Sequence, residues 1–264
     1  MFLELSMSDL LKVEKRGHVA IVTFNNPPAN TWTPESLNYL KQLVSVLNED
    51  KDNYSLILTS DSDKFFSAGA DLNQFNHDDK GLSFEFSAAF GGAFEALANY
   101  QGVSIAAITG FAMGGGLEVA LSCDVRICEE QAQMALPEAA VGLLPCGLGS
   151  QQLSWLIGEG WAKRMILLGE RIKAPQAEKI GLVSEVVPTG TALSRALALA
   201  EKAENQSPTS VAFCKSLIMA ARNGDINSAY AKERELFVKL WDTEDQKEGV
   251  SAFIEKRKPQ WKNN

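Results

Sequence analysis

Short apolar runs alternate with segments that carry apolar residues at helical spacing over roughly the first half of the chain. The runs are rich in Val, Ile, Leu and Ala and have the length of strands: residues 18–25, 55–60, 104–109 and 125–128. The intervening segments predict helices: residues 34–48, 82–100 and 114–123. Strands that alternate with helices indicate an α/β core with crossover connections.

After Pro145 the pattern becomes mostly helical, with one further strand predicted at residues 183–187. From Thr191 onward the apolar residues have helical spacing. We therefore divide the chain into an α/β core, residues 1–205, and a C-terminal helical region, residues 206–264. The apolar faces of that region need a cover, which is either the core or another subunit.

Charge and composition narrow the classes of function. The 264 residues include 25 Lys and Arg against 33 Asp and Glu, a net charge of −8, which argues against nucleic-acid binding. No run reaches the roughly 18 apolar residues of a membrane span, and the N-terminus does not resemble a signal peptide. The cysteines form no CxxC pair and fit no zinc spacing: Cys123, Cys128, Cys146 and Cys214. These features predict a cytoplasmic protein with free thiols.

Two glycine-bearing turns are candidates for close approach of the backbone to a ligand. The first, Phe66 to Leu72, follows a predicted strand, and the second, Gly110 to Glu118, places three glycines at the start of a helix. Free N–H groups at a helix start favour a negatively charged partner. The alternatives are a tight turn and close packing of the helix on the sheet. No GxGxxG, Walker A or GxSxG pattern is present, which argues against a dinucleotide site or an elbow serine.

Two glutamates stand in apolar surroundings. Glu118 lies in an almost wholly apolar helix, where an unpaired carboxylate would be costly and its pKa would rise. The alternative is an ion pair with Arg126. Glu138 follows Pro137, and its alternative role is to complement the dipole of a short helix. Two such carboxyl groups suit acid–base work on one water molecule.

Histidine chemistry and metal binding have little support in the sequence. His18 and His77 are the two histidines of the chain, and neither lies in a context that suggests a Ser-His-Asp mechanism. No cluster of His and carboxylate residues suggests a metal site. We therefore expect no metal and no separate cofactor.

Taken in order, the motifs resemble the crotonase (enoyl-CoA hydratase/isomerase) superfamily over nearly the whole chain. The matching segments are Phe66–Leu72, Gly114–Glu118, Cys123–Asp124, Pro137–Glu138 and Gly142–Pro145. The resemblance implies a spiral of ββα units with a C-terminal helical region that forms oligomers. It also implies an acyl-CoA thioester as substrate, and a homotrimer or a dimer of trimers.

By position, the resemblance assigns roles to individual residues. Ala70 and Gly115 would supply the two N–H donors of an oxyanion hole. The residues expected to bind the substrate are Lys64, Ala68, Asp71, Leu72, Gly114 and Cys146. Cys146 replaces a glycine that is common in hydratases of this family, which leaves the acyl-chain preference open.

The carboxyl groups decide which reaction is expected. Hydratases of the family carry two glutamates, which match Glu118 and Glu138 here. The implied reaction is hydration of a trans-2-enoyl-CoA to a 3-hydroxyacyl-CoA, with Glu138 as main proton carrier and Glu118 activating the water. The alternatives are a Δ3,Δ2-enoyl-CoA isomerase, an acyl-CoA hydrolase, or an acyl-CoA-binding protein without activity.

Overall fold

The computed structural model describes residues 9–222 and 224–264. Within that part of the chain the strands are β1 Leu11–Arg16, β2 Val19–Phe24, β3 Thr31–Trp32, β4 Ser55–Ser60, β5 Phe65–Ser67, β6 Gly69–Ala70, β7 Val103–Ile108, β8 Phe111–Met113, β9 Val125–Glu129, β10 Gln133–Ala135, β11 Ile172–Lys173 and β12 Glu185–Val187. The α-helices are α1 Pro34–Glu49, α2 Lys80–Ala98, α3 Gly115–Leu121, α4 Gly149–Leu167, α5 Ala174–Lys179, α6 Ala192–Ala203, α7 Pro208–Ala220, α8 Ile226–Lys239 and α9 Glu244–Glu255.

Within the described residues the strands form two main sheets and one two-stranded parallel sheet, β3–β6. The larger has the order β1-β2-β4-β7-β9-β12, and its strands are parallel except for the antiparallel pair β1–β2. The smaller has the order β11-β10-β8-β5. Each long strand β4, β7 and β9 is followed at once by a short strand of the smaller sheet, and then by a helix. This repeat confirms the predicted α/β spiral of ββα units.

Helix α1 illustrates how the sequence determines a helix. The Thr33 side chain accepts a hydrogen bond from Ser36 N–H, Ser36 caps Thr33 in return, and Pro34 occupies the first turn. The predicted apolar face is buried: Leu37, Leu40, Leu43, Val44 and Leu47. The helix predicted at residues 34–48 is therefore confirmed.

Helix α2 carries a row of phenylalanines on its buried face. Phe86 packs on Phe90 with ring centroids 5.2 Å apart, and Phe90 packs on Phe94 at 5.5 Å, both edge to face. The row continues through Trp32, whose ring centroid lies 5.5 Å from that of Phe94. These rings join α2 to the strands that carry the candidate site.

The structure contains strands that the sequence pattern does not predict. In β1 only Leu11 is fully buried, because this edge strand alternates with charged residues. The strands of the smaller sheet are two or three residues long, too short to show a period.

Helix α6 covers the face of the large sheet that lies opposite α1 and α2. Ala192, Ala196 and Ala200 of this helix pack against a buried cluster that includes Ile57 and Ile105. The boundary proposed between residues 205 and 206 falls between α6 and α7, and the division into two regions stays a prediction. In the described residues, no helix is both long and apolar enough to cross a membrane.

Candidate active site

The two glycine-bearing turns lie against each other. A β-carbon at Gly69 would lie 2.6 Å from the carbonyl oxygen of Met113 and 3.0 Å from the nitrogen of Gly115. A β-carbon at Gly116 would collide with the carbonyl oxygen of Ser67. Glycine is therefore required on both sides of this contact, since any larger residue would push the turns apart.

The backbone geometry aims one N–H group out of each turn. Asp71 N–H donates to Trp32 O at 3.3 Å, so Ala70, one residue earlier on the strand, points its N–H away from β3. Gly115 is the first residue of α3, and the first intrahelical bonds are those from Leu117 and Glu118 to Gly114 O. The N–H groups of Ala70 and Gly115 therefore have no acceptor in β3 or in α3.

A cavity of about 820 Å³ lies between these turns, α2 and the loop that follows β10. Its walls are mostly apolar, and its polar groups include both candidate glutamates. The predicted site residues that line it are Ala68, Ala70, Asp71, Leu72, Gly114, Gly115, Glu118, Glu138 and Cys146. Lys64 does not line the cavity; its side chain is exposed, with Nζ 5.3 Å from the ring centroid of Phe65.

Glu118 lines the cavity and is buried to 2% exposure. Its Oε1 accepts hydrogen bonds from Gly147 N–H at 2.8 Å and Gly149 N–H at 2.9 Å. The pKa of Glu118 is raised to about 7: burial is the largest cause, the charge of Glu138 adds to the rise, and the N–H donors of Gly149 and Gly147 oppose it. The fold thus keeps a titratable carboxyl group in an almost dry environment.

Arg126 is not the partner of Glu118. Its guanidinium donates to the carbonyl oxygens of Leu182 at 3.0 Å and Cys123 at 2.6 Å. The ion pair considered as the alternative for Glu118 is therefore wrong, and Arg126 instead satisfies one carbonyl group just after α3 and one before β12.

Gly147 and Gly149 were not identified from the sequence as site residues. A β-carbon at Gly149 would lie 2.7 Å from Glu118 Oε1, and one at Gly147 would lie 3.0 Å from Glu118 Oε2. Leu148 between them has a φ of 73° and forms the N-cap of α4. The one local signal is the pair of glycines two apart before a helix, which does not reveal a partner 29 residues earlier.

Glu138 begins a 3-10 helix, Glu138–Val141, as the dipole alternative expected. Its carboxyl group nevertheless lines the cavity, and a β-carbon at Gly114 would lie 3.1 Å from Glu138 Oε1. Neither carboxyl oxygen has a hydrogen-bond partner among residues 9–222 and 224–264, although both are buried. Burial raises the pKa of Glu138 to about 6.

Cys146 lines the same cavity and is half-buried. Burial, together with the charges of Glu118 and Glu138, raises the pKa of this thiol to about 11. The group is therefore a neutral thiol at physiological pH, and its contribution is shape and packing.

Neither histidine lines the cavity. His18 stacks on Tyr54 with ring centroids 4.2 Å apart, and its Nδ1 lies 3.0 Å from Asp52 O. His77 Nδ1 accepts a hydrogen bond from Asp79 N–H in an exposed loop. The titratable chemistry of the cavity is therefore that of carboxyl groups and one thiol.

Comparison with known proteins provides independent evidence on the family to which the chain belongs. A sequence model of the family described as enoyl-CoA hydratase/isomerase matches residues 14–264. The short-chain-enoyl-CoA hydratase of Clostridium acetobutylicum is 37% identical over 247 residues, which cover 93% of this chain and 95% of that protein. The 2,3-dehydroadipyl-CoA hydratase of Escherichia coli is 36% identical, with 97% of this chain and 99% of that protein covered.

Solved structures agree over the same length. DspI of Pseudomonas aeruginosa superposes with a TM-score of 0.94 at 56% identity, covering 98% of this chain and 99% of that one. Enoyl-CoA hydratase of Bacillus anthracis superposes with a TM-score of 0.92 at 32% identity, covering 97% and 100%. With a family match across nearly all of its length, the chain belongs to the enoyl-CoA hydratase/isomerase family.

Proposed function

We propose that the chain, an enoyl-CoA hydratase, adds water across the double bond of a trans-2-enoyl-CoA and yields a 3-hydroxyacyl-CoA. The observation that carries this proposal is the presence of Glu118 and Glu138 in one cavity with the outward N–H groups of Ala70 and Gly115. The names of the hydratase relatives support the same reaction.

The two N–H groups are proposed to bind the thioester oxygen. As water adds at C3, negative charge moves onto that oxygen, and two fixed donors stabilise it. Removal of one such donor typically lowers kcat by about 10²–10³. The contact between Gly69 and Gly115 fixes the spacing of the two donors, because it joins the two turns that carry them.

The glutamate pair is proposed to bind the water molecule and to transfer the protons during its addition. Burial raises the pKa of both carboxyl groups, so one member of the pair can hold a proton near neutral pH while the other stays ionised. Glu138, whose oxygens have no partner among the described residues, passes that proton to C2. Glu118 orients the water and accepts its proton while the hydroxyl bonds to C3. The pair therefore ends with one proton, as it began.

Crotonyl-CoA provides a direct test. Hydration removes the conjugated enoyl thioester, so the ultraviolet absorbance of the substrate should fall in the presence of purified protein. We expect Glu138→Gln to lower kcat by at least about 10², because general acid–base catalysis contributes 10²–10⁴. Glu201→Gln, at an exposed position of α6, is the matched control and should leave the rate unchanged.

The alternatives give different products in the same experiment. Release of free CoA would favour a hydrolase, and conversion of a 3-enoyl-CoA without hydration would favour an isomerase. Absence of turnover with enoyl-CoAs of every chain length would contradict the proposed hydratase.

The remaining parts of the proposal concern the ligand and the assembly. Ala68, Asp71 and Leu72 line the cavity and are proposed to contact the CoA moiety, with exposed Lys64 meeting its phosphates. We propose no metal and no cofactor apart from the CoA of the substrate, and a cytoplasmic location in keeping with four free thiols. A homotrimer or dimer of trimers would cover the exposed apolar residues of the C-terminal helices, such as Phe253.

A further inference from the structure

Phe94 lies directly behind the loop that holds Glu118. Its side chain is completely buried, and it is held edge to face by Trp32 and Phe90, each with ring centroids 5.5 Å away. It does not line the cavity, whereas its neighbour Phe90 does. Phe94 therefore belongs to the layer of side chains that supports the site from behind.

The ring of Phe94 is in close contact with Gly147. A β-carbon at Gly147 would collide with Phe94 Cδ2 and would lie 2.8 Å from Phe94 Cε2. Gly147 and the edge of the Phe94 ring therefore pack directly against each other, with no space for a side chain between them. Because Phe94 is fixed by two aromatic neighbours, it limits how far Gly147 can move away from the cavity.

Gly147 in turn supplies one of the two N–H groups on Glu118 Oε1. The N–H···O bond weakens steeply as its angle departs from linearity, so a small displacement of the loop is enough to lose it. The second donor, Gly149, lies two residues further along the same loop and would move with it. The position of the Glu118 carboxyl group therefore depends on the ring behind the loop.

We propose that Phe94 is a positioning residue for the hydration step: its ring sets the position of Gly147 and thereby the orientation of the Glu118 carboxyl group toward the water. The inference rests on the proposed function, since Glu118 is the group that is positioned. Phe94 acts through Gly147 and contacts neither substrate nor water.

The test is Phe94→Leu, which removes the ring edge but keeps an apolar side chain. The matched control is Phe24→Leu, since Phe24 is buried in the same core cluster and also packs against Trp32, at 5.1 Å. We expect Phe94→Leu to lower kcat about tenfold, less than the loss of a directly acting donor, with KM changed by less than about twofold. Phe24→Leu should leave both constants near their original values.

The pH profile of kcat/KM separates positioning from a general loss of packing. Weaker N–H bonds to the carboxylate of Glu118 raise its pKa, so the profile of Phe94→Leu should move to higher pH. The titratable groups that share the cavity with Glu118 are Asp71, Glu138 and the Cys146 thiol, and all three are present in each variant. The profile of Phe24→Leu should stay in place.

A second pair of variants keeps the inference testable if Phe94→Leu folds poorly. Gly147→Ala introduces a methyl group into the ring of Phe94 and should lower kcat in the original background. In Phe94→Leu the ring is absent and only the contact of the methyl group with Glu118 Oε2 remains, so the same substitution should cost less, and the two effects should not be additive.

Two results would overturn the inference. One is a Phe94→Leu variant with the kcat and pH profile of Phe24→Leu, and the other is strict additivity with Gly147→Ala. Both differ from failure of the proposed function, in which the original enzyme itself would not hydrate enoyl-CoAs.

Discussion

Glu118 shows how burial and backbone donors compete at a single carboxyl group. At 2% exposure the group loses almost all contact with water, and the N–H groups of Gly147 and Gly149 replace only part of that hydration. The balance leaves its pKa near 7. The residue therefore lowers the stability of the fold at the pH where it is useful for catalysis.

This competition predicts the effect of Glu118→Gln on stability. The folded-state pKa, about 7, lies above the ordinary value of 4.5, so the folded protein binds the proton more tightly between those two values. The stability cost of the carboxylate therefore grows from about pH 4.5 to pH 7 and is complete above pH 7. A glutamine keeps an oxygen for both N–H donors but carries no charge.

We expect Glu118→Gln to raise the free energy of unfolding at pH 8 by on the order of 1–3 kcal/mol and to abolish hydration. Urea denaturation at pH 8 and pH 5 should show most of the gain at the higher pH. A variant that is less stable than the original protein at pH 8 would contradict this account.

At the scale of elements, the contact between α3 and β5 controls the geometry of the site. Gly116 of α3 lies directly on the carbonyl oxygen of Ser67, so a side chain would force the helix and the strand apart. The same helix carries Gly115 and Glu118, and both would move with it. Close approach of helix and strand is therefore a condition for the site as well as for the fold.

The corresponding prediction compares two glycines that lie in helices. Gly116→Ala should lower the free energy of unfolding by about 1–3 kcal/mol through overpacking and should reduce activity strongly. Gly160→Ala in α4, where a β-carbon meets nothing within 4 Å, should stabilise by about 0.5–1 kcal/mol and leave activity unchanged. Thermal unfolding and the crotonyl-CoA assay measure the two effects; equal stability of the two variants would refute the argument.

The elements also show what could be predicted from sequence. The apolar runs predict β4 at its observed bounds, and β7 and β9 within one residue, because strands buried on both faces are continuous apolar runs. The short strands of the smaller sheet were not predicted, since their pairing is decided by neighbours distant in sequence. Glu118 and Glu138 were identified because a carboxyl group in an apolar segment is unusual. Gly147 and Gly149 were missed because their partner is visible only in three dimensions.

At the scale of the whole molecule, the C-terminal helical region carries several exposed apolar side chains. The most exposed is Phe253 at 86%, and Val238, Trp241, Val250 and Ile254 are exposed as well. Single exposed apolar residues are ordinary, but several of them close together in sequence are what the proposed assembly would cover.

We expect light scattering to give a particle mass three or six times the chain mass of 28.7 kDa. Phe253→Asp should shift the distribution toward the monomer, because a charge on a buried apolar interface loses its hydration without a partner. A monomeric mass for the original protein at micromolar concentration would contradict the proposed assembly.

The repeated strands have a consequence for how the site could change during evolution. The first repeat, β4 to β6, carries Ala70; the second, β7 to α3, carries Gly115 and Glu118; the third, β9 and β10, leads to Glu138. Each of three neighbouring repeats thus carries a different functional group, and the hydrogen-bond register between the strands fixes the distances between these groups. A residue in one repeat can be substituted while its distances to the residues of the other two repeats are kept. This arrangement allows members of a family to evolve different reactions on the same fold.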